Sequence, residues 1–592
     1  MADFETTTDE NDCRVWATCL YDIESRQVVH LTNNIDDFMD ILRVNSKRNS
    51  LEIYFHNLKF DGEFVLWWLY HNGFRYDDGL SSEHTFRTLI TDMGLFYQLE
   101  VRFHKPRACK VVTFRDSLKI IPLKVSQMAK AFGLKTLKGE IDYNKYRKPN
   151  HTLTDEEIEY IKNDVIIVGE SLSAMFNLGL NKMTIASNSL QNYKESIGGK
   201  SAFRRLYPLL SKEDDDFIRK AYRGGYTYVN PNITGKNINK IGMTFDVNSL
   251  YPSVMYGVNG EILPYDMPIY FKGEYKPNVT HPLYIQKLRC KFRLKKGYVP
   301  IIQLKNNARF KDTEYLKDSG VERVELTVTS IDWELIKKHY KVTNIEYLGG
   351  YMFKGKQGLF EKYINYWIGV KIQAEIDGNK GMRQISKLML NSLYGKFASQ
   401  GVSDVKVPVF GDDRVVKHST KCTLFNRETK EYDYDGVLHE DKERELNYTA
   451  MACFITAYAR KVTIEAIQSV GGLGKDSRFC YCDTDSIHIV GEEIPKNLWV
   501  SPTDLGAWKH EATWEYAKFI RAKTYIEEID GKLDVKCAGM PDNVKELVTK
   551  KNFKVGFTVL ADDKTIPGKY KKLMHKRCVG GAVLVPTDFT IK

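Results

Sequence analysis

Cysteine patterns that bind metals or form disulfides are missing from this sequence. Its ten cysteines are scattered between Cys13 and Cys578, none of them forms a CxxC pair, and Cys480 and Cys482 flank Tyr481 as CxC. This distribution argues against a zinc site and a disulfide framework, and it favours reduced thiols. Apolar runs of membrane-spanning length and a signal-peptide pattern are missing too. We therefore expect a soluble protein of the cytoplasm.

Internal repeats and low-complexity tracts are also missing, and acidic and basic residues are mixed along the chain. Lysine and arginine number 87 against 76 acidic residues, which gives a net charge of +11, and 28% of all residues are charged. A basic excess of this size is suited to a polyanionic partner without requiring one. The 592 residues are enough for about four domains.

Two carboxylates lie at the centre of YCDTDS, residues 481–486. The aromatic and β-branched residues around them predict two strands joined by a tight turn. Asp483 and Asp485 are two positions apart, and in extended chain this spacing directs both side chains to one face. Two such anions repel unless cations lie between them, and Mg²⁺ bound by carboxylates and substrate phosphates is the usual solution. An Asp-rich turn without ions is the simpler alternative.

A second carboxylate stretch, FDVNSLYP at residues 245–252, places Asp246 at the end of a predicted strand. A helix N-cap is the alternative role for Asp246. If this strand lies beside the YCDTDS hairpin, Asp246 faces Asp485 and the pair can form a two-metal clamp for in-line attack at an α-phosphate. Tyr251, packed beneath an incoming sugar, would then leave no room for a 2′-hydroxyl.

A basic stripe is predicted in RQISKLMLNSLYGKF, residues 383–397. Arg383, Lys387, Asn391 and Tyr394 recur at steps of four, four and three, which places them on one side of a helix. We expect Gly395 to end this helix. The stripe could hold a triphosphate and cover a base pair, although a solvated charged face is the alternative.

YRGG at residues 222–225 is a weaker signal for nucleic acid. Tyr222 and Arg223 precede two permissive glycines, Gly224 and Gly225, and this combination suits close approach to a sugar-phosphate backbone. An arginine before a glycine turn is also common without any ligand. Near the end of the chain, KTIPGKYKKLMHKR at residues 564–577 is basic enough to bind phosphates without sequence preference.

Four acids near the N-terminus form a third constellation. Asp3 and Glu5 share one face of a predicted strand, Asp61 follows the strand in YFHNLKFDG, and Asp164 lies one helical turn after Tyr160. Taken singly, each is more simply a solvated surface acid. Together they resemble the DxE, NxxxFD and YxxxD motifs of the DEDD-type 3′-to-5′ exonucleases. The resemblance implies that the four acids hold two metal ions and that Tyr160 orients a metal-bound water.

The same resemblance implies roles for further residues. Lys138 matches a lysine that supports the exonuclease reaction, although a surface lysine is the alternative. The residues that would grip the frayed primer end are Thr6, His56, Asn57, Phe60, Ser117 and Leu118. Phe60 could stack on a base, or it could be a core residue. Because only Met1 and Ala2 precede Asp3, we expect a frayed first strand, which puts the strength of the exonuclease in question.

In chain order, DVNSLYP, KLMLNSLYGKF, YCDTDS and KTY resemble motifs A, B, C and KxY of family B DNA polymerases. YFHNLKFDG, AYRGG, FITAYAR, VKCAGM and FTIK are similar to those of the protein-primed DNA polymerases of small tailed phages, the phi-twenty-nine-like group. This implies that Asp246 and Asp485 are the main metal ligands, with Asp483 beside them and Val247 contributing its backbone. The implied nucleotide contacts are Tyr251, Lys371, Arg383, Lys387, Asn391 and Tyr394. The implied DNA contacts are Tyr222, Arg223, Gly224, Gly225, Thr456, Arg460, Lys523 and Tyr525.

The implied fold is multidomain, of α/β and α+β class, with an RNase H-like 3′-5′ exonuclease domain followed by a right-hand polymerase of palm, fingers and thumb. Two terminal-protein-region insertions interrupt the polymerase. The expected boundaries are 1–182 for the exonuclease, 183–256 and 448–537 for the palm, 257–352 and 398–447 for the insertions, 353–397 for the fingers and 538–592 for the thumb. The second insertion departs from the group in its length, its mixed charges and Ala450 in place of proline, which puts its tip geometry in question.

The resemblance implies template-directed nucleotidyl transfer with two Mg²⁺ per active site, or Mn²⁺ in their place. It also implies proofreading, strand displacement, primer-template DNA and deoxynucleotides as substrates, and a phage terminal protein as primer in the host bacterial cytoplasm. The chain would act as a monomer or as a heterodimer with that protein. Three alternatives are weaker. A repair nuclease needs only the first 180 or so residues, which leaves the rest of the chain unexplained. An RNA polymerase or reverse transcriptase is disfavoured by Tyr251 and by the DTD spacing. A scaffold protein would be expected to lose its metal ligands, whereas every acid named above is present.

Overall fold

The structure, a computed structural model, describes residues 1–105, 110–143, 145–303, 315–399, 405–420, 425–426, 431–432 and 447–592. Within these ranges no helix combines the length and the apolar character needed to cross a membrane.

The first 182 residues form sheets covered by helices. The elements are β1 (Ala2–Thr6), β2 (Val15–Asp22), β3 (Gln27–Thr32), α1 (Ile35–Asn45), β4 (Leu51–Phe55), α2 (Leu58–His71), β5 (Arg75–Tyr76), β6 (Thr85–Thr91), β7 (Phe96–Arg102), β8 (Val112–Asp116), α3 (Val125–Ala131) and α4 (Asp155–Asn177). One sheet has the order β1-β2-β3, and β6-β7-β8-β4 belong to another. A capping box between Thr154 and Glu157 begins α4, because it satisfies backbone N–H groups that the first helical turn leaves unpaired.

The first strand is firmly held, so the expectation of a frayed N-terminal strand is wrong. Each residue of β1 has a partner in β2. The nitrogen of Met1 donates a hydrogen bond of 2.7 Å to the carbonyl of Tyr21, and Met1 is only 5% exposed. Antiparallel pairing and burial of the first side chains outweigh the flexibility of a chain end.

The region expected to form the palm consists of two separate parts of the chain. The first contributes α5 (Ile185–Ser196), α6 (Gly199–Leu206), α7 (Lys212–Arg219), β9 (Thr227–Val229), β10 (Gly242–Val247) and α8 (Leu250–Tyr256). Between the two parts, the first insertion contains β11 (Leu263–Phe271), β12 (Leu283–Leu294), β13 (Ile302–Gln303), β14 (Tyr315–Leu316), β15 (Val324–Thr329), α9 (Ser330–His339) and β16 (Tyr340–Lys356). The insertion has its own sheet of order β11-β16-β12-β15, and the predicted boundary at residue 352 lies inside β16.

The fingers are a pair of packed helices followed by a short third helix. They are α10 (Glu361–Ile376), α11 (Lys380–Ser392) and α12 (Tyr394–Phe397). The prediction that Gly395 ends one continuous helix is wrong, because α11 already ends at Ser392 and Gly395 lies within α12. Gly395 is not among the residues with positive φ, so it does not adopt the left-handed conformation of a glycine C-cap.

The second insertion joins the exonuclease sheet. Its described strands are β17 (Val405–Phe410), β18 (Val416–Thr420), β19 (Phe425–Asn426) and β20 (Glu431–Tyr432). Val405 and Lys406 pair with Thr91 and Ile90 of β6, and the extended sheet has the order β18-β17-β6-β7-β8-β4. Most of the mixed-charge stretch predicted to alter the tip of this insertion lies outside the described residues.

The second part of the palm and the thumb complete the chain. The palm elements are α13 (Thr449–Ser469), β21 (Phe479–Asp483), β22 (Ser486–Val490), β23 (Trp508–Trp514), β24 (Tyr516–Arg521), β25 (Thr524–Ile529) and β26 (Lys532–Cys537). The thumb elements are α14 (Asp542–Lys545), β27 (Thr558–Val559), β28 (Lys572–Cys578), β29 (Gly581–Thr587) and β30 (Phe589–Thr590). The palm sheet is antiparallel with the order β23-β10-β22-β21-β9, and α13 packs against α7, α8, α9 and β22.

Candidate functional site

Asp246 and Asp485 come from neighbouring strands at the same end of the palm sheet. Asp246 pairs with Ser486, the first residue of β22, and the N–H of Val247 donates a 2.8 Å hydrogen bond to the carbonyl of Asp485. The predicted approach of these two carboxylates, 239 positions apart in the chain, is therefore present in the structure. Asp246 ends its strand and is not a helix N-cap, since Ser249 begins α8.

Among the described residues, the nearby lysines only partly offset the negative charge of this pair. Burial, followed by the charges of Asp485 and Glu511, raises the pKa of Asp246 to about 7. Burial also raises the pKa of Asp485. A carboxylate pKa rises when the charged form lacks solvation or compensating cations. The site therefore has the electrostatics of one that accepts a cation.

The turn between β21 and β22 separates Asp483 from Asp485. Thr484 has a φ of 60°, so the alternation of an extended strand stops at Asp483, and the prediction that both aspartates share one face of a strand is wrong. Lys523 donates to both oxygens of Asp483, at 2.7 and 3.1 Å, and the hydroxyl of Thr227 donates to it at 2.9 Å. Asp483 is thus bound to the KTY turn, whereas Asp485 lies beside Asp246.

The YRGG segment and the residue after it, Tyr226, pack against this turn. The N–H of Thr484 donates to the carbonyl of Tyr226 at 2.8 Å, and a Cβ atom on Gly225 would lie 2.7 Å from Cγ2 of Thr484. The guanidinium of Arg223 donates to the carbonyls of Lys220 and Tyr222 at 2.6 and 2.9 Å. Gly225 is therefore required by close packing of the catalytic turn.

Two of the predicted DNA contacts, Thr456 and Arg460, have buried side chains. Thr456 is fully buried in α13, and its hydroxyl donates to the carbonyl of Ala452 at 2.9 Å. Arg460 is also buried. It forms a bidentate ion pair with Asp332, at 2.7 and 2.8 Å, and donates to the carbonyls of Arg223 and Gly224. The polar groups of Thr456 and Arg460 are thus engaged within the protein in the structure without DNA, and their contact with the DNA backbone stays a prediction.

The fingers present the predicted stripe to the palm. Arg383, Lys387 and Asn391 are exposed on α11, and Lys371 lies half-buried on α10. Burial, and then the charge of Arg383, lowers the pKa of Lys371, with Lys387 and Lys509 acting in the same direction. Cations crowded in this way favour a polyanion between them.

Tyr251 and Tyr394 form one stacked pair between palm and fingers. Their ring centroids are 3.8 Å apart, with 18° between the ring planes. Tyr251 lies within DVNSLYP, in the first turn of α8, and Tyr394 begins α12. The charge of Asp485 also acts on Tyr394, so the stack lies near the carboxylate pair.

The KTY segment forms the turn from β24 to β25. The N–H of Lys523 donates to the hydroxyl of Tyr481 at 2.9 Å, and Lys523 has a φ of 57°. The ring of Tyr525 lies 5.0 Å from that of Tyr481. Both residues are therefore adjacent to the carboxylate turn, as the motif order predicted.

A second acidic site lies in the N-terminal region. Asp3 and Glu5 of β1 and Asp164 of α4 have carboxylate oxygens within 4.8 Å of one another. Asp61 lies in the first turn of α2 and not at a strand end as expected. Burial, and then the charge of Asp3, raises the pKa of Asp61 well above its ordinary value. Burial, and then the charge of Asp164, raises the pKa of Asp3 to about 7.

These four acids fit a cation site. Within the described part of the chain, no hydrogen-bond donor reaches the buried Oδ1 of Asp164. Its other oxygen accepts an ion pair from Lys138. Three of the four acids are buried and Asp3 is partly buried. One lysine among them leaves net negative charge, which a divalent cation can compensate.

Tyr160 lies directly beside this cluster. Its hydroxyl shares a 2.6 Å hydrogen bond with that of Tyr143, and Lys138 Nζ lies 5.1 Å from its ring centroid. Tyr160 and Asp164 are both buried on one side of α4, as their spacing predicted. Tyr143 was missed, because only the tertiary structure brings its hydroxyl to the cluster.

The predicted primer-end residues lie around the same site. His56 Nδ1 is 3.0 Å from Oγ of Ser117, and Asp116 accepts the N–H groups of Asn57 and Leu118, each at 3.0 Å. Phe60 is half-buried at the start of α2, with its ring 6.0 Å from His575 of the thumb. Thr6 ends β1. These contacts fix the backbone around the acidic cluster.

Sequence reasoning also missed Lys509, Glu511 and Asp332. Lys509 and Glu511 lie on β23 beside Asp246, and Asp332 holds Arg460. The alternation in residues 508–514 could have indicated a strand. It could not have indicated which strand lies next to it.

Comparisons with known proteins agree with this geometry. The sequence model of one protein family, the organellar and viral type B DNA polymerases, matches residues 42–148 and 137–499. All of the chain aligns at 43% identity with 99% of a DNA polymerase of Bacillus phage M2, and at 42% identity with 98% of that of Bacillus phage phi29. It also aligns fully at 31% identity with 98% of the DNA polymerase of Streptococcus phage Cp-1.

Solved structures show the same architecture. The phi29 DNA polymerase complexed with primer-template DNA superposes with a TM-score of 0.88 at 39% identity, over 100% of this chain and 99% of that one. Its ternary complex with incoming nucleotide substrates gives the same TM-score at 40% identity and the same coverage. The predicted multidomain fold, with exonuclease and polymerase domains, is confirmed. The chain belongs to the type B viral DNA polymerases, in the group of the phi29-like phages, and it is a DNA-directed DNA polymerase.

Proposed function

We propose that the palm carboxylates Asp246 and Asp485 hold two divalent cations, Mg²⁺ or in its place Mn²⁺, for nucleotidyl transfer, with Asp483 beside them and the backbone of Val247 as a further ligand. The observation that carries this assignment is the adjacency of Asp246 and Asp485 across β10 and β22 together with the raised pKa of both. The cations would neutralise the charge that develops when a 3′-hydroxyl attacks an α-phosphate and pyrophosphate leaves.

The fingers bind the incoming deoxynucleotide in this proposal. Lys371, Arg383 and Lys387 contact the triphosphate, because they form a crowded group of cations on α10 and α11. Asn391 and Tyr394 lie against the nascent base pair. Tyr251, stacked on Tyr394, lies under the sugar and excludes a 2′-hydroxyl.

Primer and template lie along the palm. Lys523 and Tyr525 hold the primer terminus next to the carboxylate turn. The DNA backbone lies close to that turn and contacts the YRGG segment, Tyr222, Arg223, Gly224 and Gly225. Arg223 acts indirectly, because its guanidinium holds the carbonyls of Lys220 and Tyr222. The partner DNA is a primer-template duplex, the ligand named for the phi29 polymerase complexes.

The N-terminal site proofreads. Asp3, Glu5, Asp61 and Asp164 hold the metal ions, Tyr160 orients the attacking water, and Lys138 stabilises Asp164. The primer end is gripped by Thr6, His56, Asn57, Phe60, Ser117 and Leu118. Support comes from the convergence of three acids within 4.8 Å and from the buried oxygen of Asp164 that lacks a hydrogen-bond donor among the described residues.

Initiation uses a terminal protein whose hydroxyl replaces the 3′-hydroxyl of a primer. The insertion at residues 257–352 provides the contact surface for this protein, with which the polymerase forms a heterodimer. The second insertion supports strand displacement. This proposal is favoured by its strand β17, which continues the exonuclease sheet. The reaction takes place in the host bacterial cytoplasm.

Two single substitutions separate the sites. Asp485→Asn should abolish primer extension and leave degradation of single-stranded DNA intact, whereas Asp164→Asn should do the reverse. Incubation with Mg²⁺, labelled dATP and a phage terminal protein should give a nucleotide-protein adduct. Wild-type primer extension by Asp485→Asn would disprove the palm assignment.

A further inference from the structure

Lys509 lies directly beside the carboxylate pair of the palm. It is on β23, the strand that flanks β10 on the side opposite β22, and it is the register partner of Asp246. Directly opposed residues of an antiparallel pair project their side chains to the same face. Lys509 and Asp246 therefore share the face of the sheet that carries the site.

Among the described residues, the ammonium group of Lys509 forms an ion pair within its own strand. Nζ of Lys509 lies 2.8 Å from Oε1 of Glu511, and the two side chains are 41% and 44% exposed. An ion pair that is so exposed contributes little to stability. A ligand with higher charge can therefore displace Glu511 from Lys509 at small cost.

The surroundings of Lys509 indicate which ligand this is. The positive charge of Lys509 acts on Lys371 of the fingers, and it also acts on Asp246 of the palm. Lys509 is thus the register partner of Asp246 and is near enough for its charge to act on both Asp246 and Lys371 of α10. In a polymerase the triphosphate of the incoming nucleotide must pass close to these groups.

We propose that Lys509 is a further nucleotide-positioning residue, which exchanges its ion pair with Glu511 for the phosphates of the incoming deoxynucleotide. It would complete the basic cluster from the palm side, opposite Lys371, Arg383 and Lys387. The inference rests on the proposed roles of Asp246 and Asp485, because they define where the triphosphate lies. Pyrophosphate, the leaving product, presents the same phosphate chemistry and binds the same lysine.

The test is single-nucleotide incorporation on a primer-template with Mg²⁺ by the full chain. Lys509→Met should raise KM for the deoxynucleotide by about three- to tenfold, the expected effect of losing one partly exposed charge-assisted contact. It should change kcat less than about twofold, weaken inhibition by added pyrophosphate by a similar factor as KM, and leave exonuclease activity unchanged. Lys509→Arg should restore most of the lost affinity, because it keeps the charge.

A matched control is Lys212→Met. Lys212 forms an exposed ion pair of the same length, 2.8 Å, with Asp216 on α7, and its removal makes the same change in net charge. If Lys509→Met and Lys212→Met have equal KM and equal pyrophosphate inhibition, the inference is wrong. A fall in kcat at unchanged KM would overturn it as well, because it would assign Lys509 to the metal site or to folding.

Failure of the underlying site assignment gives a different result. If Asp485→Asn incorporates nucleotides at the wild-type rate, the proposed palm site is wrong whatever Lys509→Met does. If Asp485→Asn is inactive and Lys509→Met keeps the wild-type KM, only the role of Lys509 is excluded.

Discussion

Glu63 accepts a 2.7 Å hydrogen bond from Nε of Arg577, although 514 positions separate the two residues in the chain. His418 Nε2 lies 3.3 Å from the other oxygen of Glu63. These residues belong to α2, β18 and β28, so the exonuclease domain, the second insertion and the thumb meet at one carboxylate. Burial raises the pKa of Glu63, but the hydrogen bonds and charges of His418 and Arg577 outweigh it and hold that pKa below its ordinary value.

Removal of the Glu63 charge should loosen this junction. Glu63→Gln leaves His418 and Arg577 without their acid, and breaking a buried pair typically costs about 3–5 kcal/mol. Because the Arg577 side chain is 30% exposed, we expect the lower end of that range. Hydrogen exchange of β28 and β29 should measure the loss as a smaller free energy of local opening.

The control for Glu63→Gln is an exposed ion pair. Asp318→Asn breaks a 2.9 Å pair with Arg293, whose side chain is 82% exposed. Because such exposed pairs contribute little to stability, it should leave hydrogen exchange of β28 and β29 unchanged. Equal exchange in β28 for Glu63→Gln and the wild type would contradict the role of the junction.

A methyl group on Gly225 should impair polymerisation alone. The Cβ of Gly225→Ala would lie 2.7 Å from Cγ2 of Thr484, so the turn that carries Asp485 must shift. A misplacement of about 1 Å can cost about 10²-fold in rate, and we expect a loss of that order in primer extension. Degradation of single-stranded DNA should be unchanged.

Gly224→Ala is the matched variant for this prediction. No atom lies within 4 Å of a Cβ built on Gly224, so the substitution adds the same methyl group without the contact. It should lose less activity than Gly225→Ala. Equal losses would indicate that the clash with Thr484 is not the cause.

Tyr251 should determine the choice of sugar. Tyr251→Val removes the ring stacked on Tyr394 and opens space beneath the nucleotide. Incorporation of ribonucleotides relative to deoxynucleotides should rise by about tenfold or more, within the range by which a pocket can reject one hydroxyl. Tyr251→Phe keeps the ring and should keep the discrimination, and steady-state incorporation of paired GTP and dGTP measures both.

The first insertion should lose stability in acid because of His339. His339 is fully buried, with Nδ1 2.8 Å from the carbonyl of Val299. Burial, with help from Lys338 and Lys295, lowers its pKa from 6.5 to about 4. The folded state therefore binds the proton more weakly than the unfolded state, and stability is complete above pH 6.5 and falls as the pH approaches 4.

The expected loss between pH 7 and pH 5 is about 2 kcal/mol. Hydrogen exchange of α9 and β16 at the two pH values measures it, after correction for the intrinsic exchange rate. His339→Gln has no titrating ring and should lose this part of the pH dependence. A pH response in His339→Gln equal to that of the wild type would assign the effect to other groups.

Features with local periodicity were predictable from the sequence. Tyr160 and Asp164 lie on one side of a helix, Asp246 ends a strand, and YCDTDS forms a hairpin, as the spacing of apolar residues indicated. Such patterns are readable because helix and strand repeats relate residues only a few positions apart. Glycine conformation was less predictable: Gly395 lies inside a helix, since a glycine permits a left-handed cap without requiring it.

The sequence alone thus determined the strands, the helices and the residue types of both sites, because hydrogen bonding within an element depends on its near neighbours. Tertiary structure decided which elements meet. Three contacts depend on the tertiary structure alone. Asp246 lies next to Asp485 and Lys509. Arg460 forms an ion pair with Asp332, and Arg577 forms one with Glu63. The physical reason is that burial and desolvation act between residues hundreds of positions apart, and they decide whether a charge meets solvent, a counterion or a ligand.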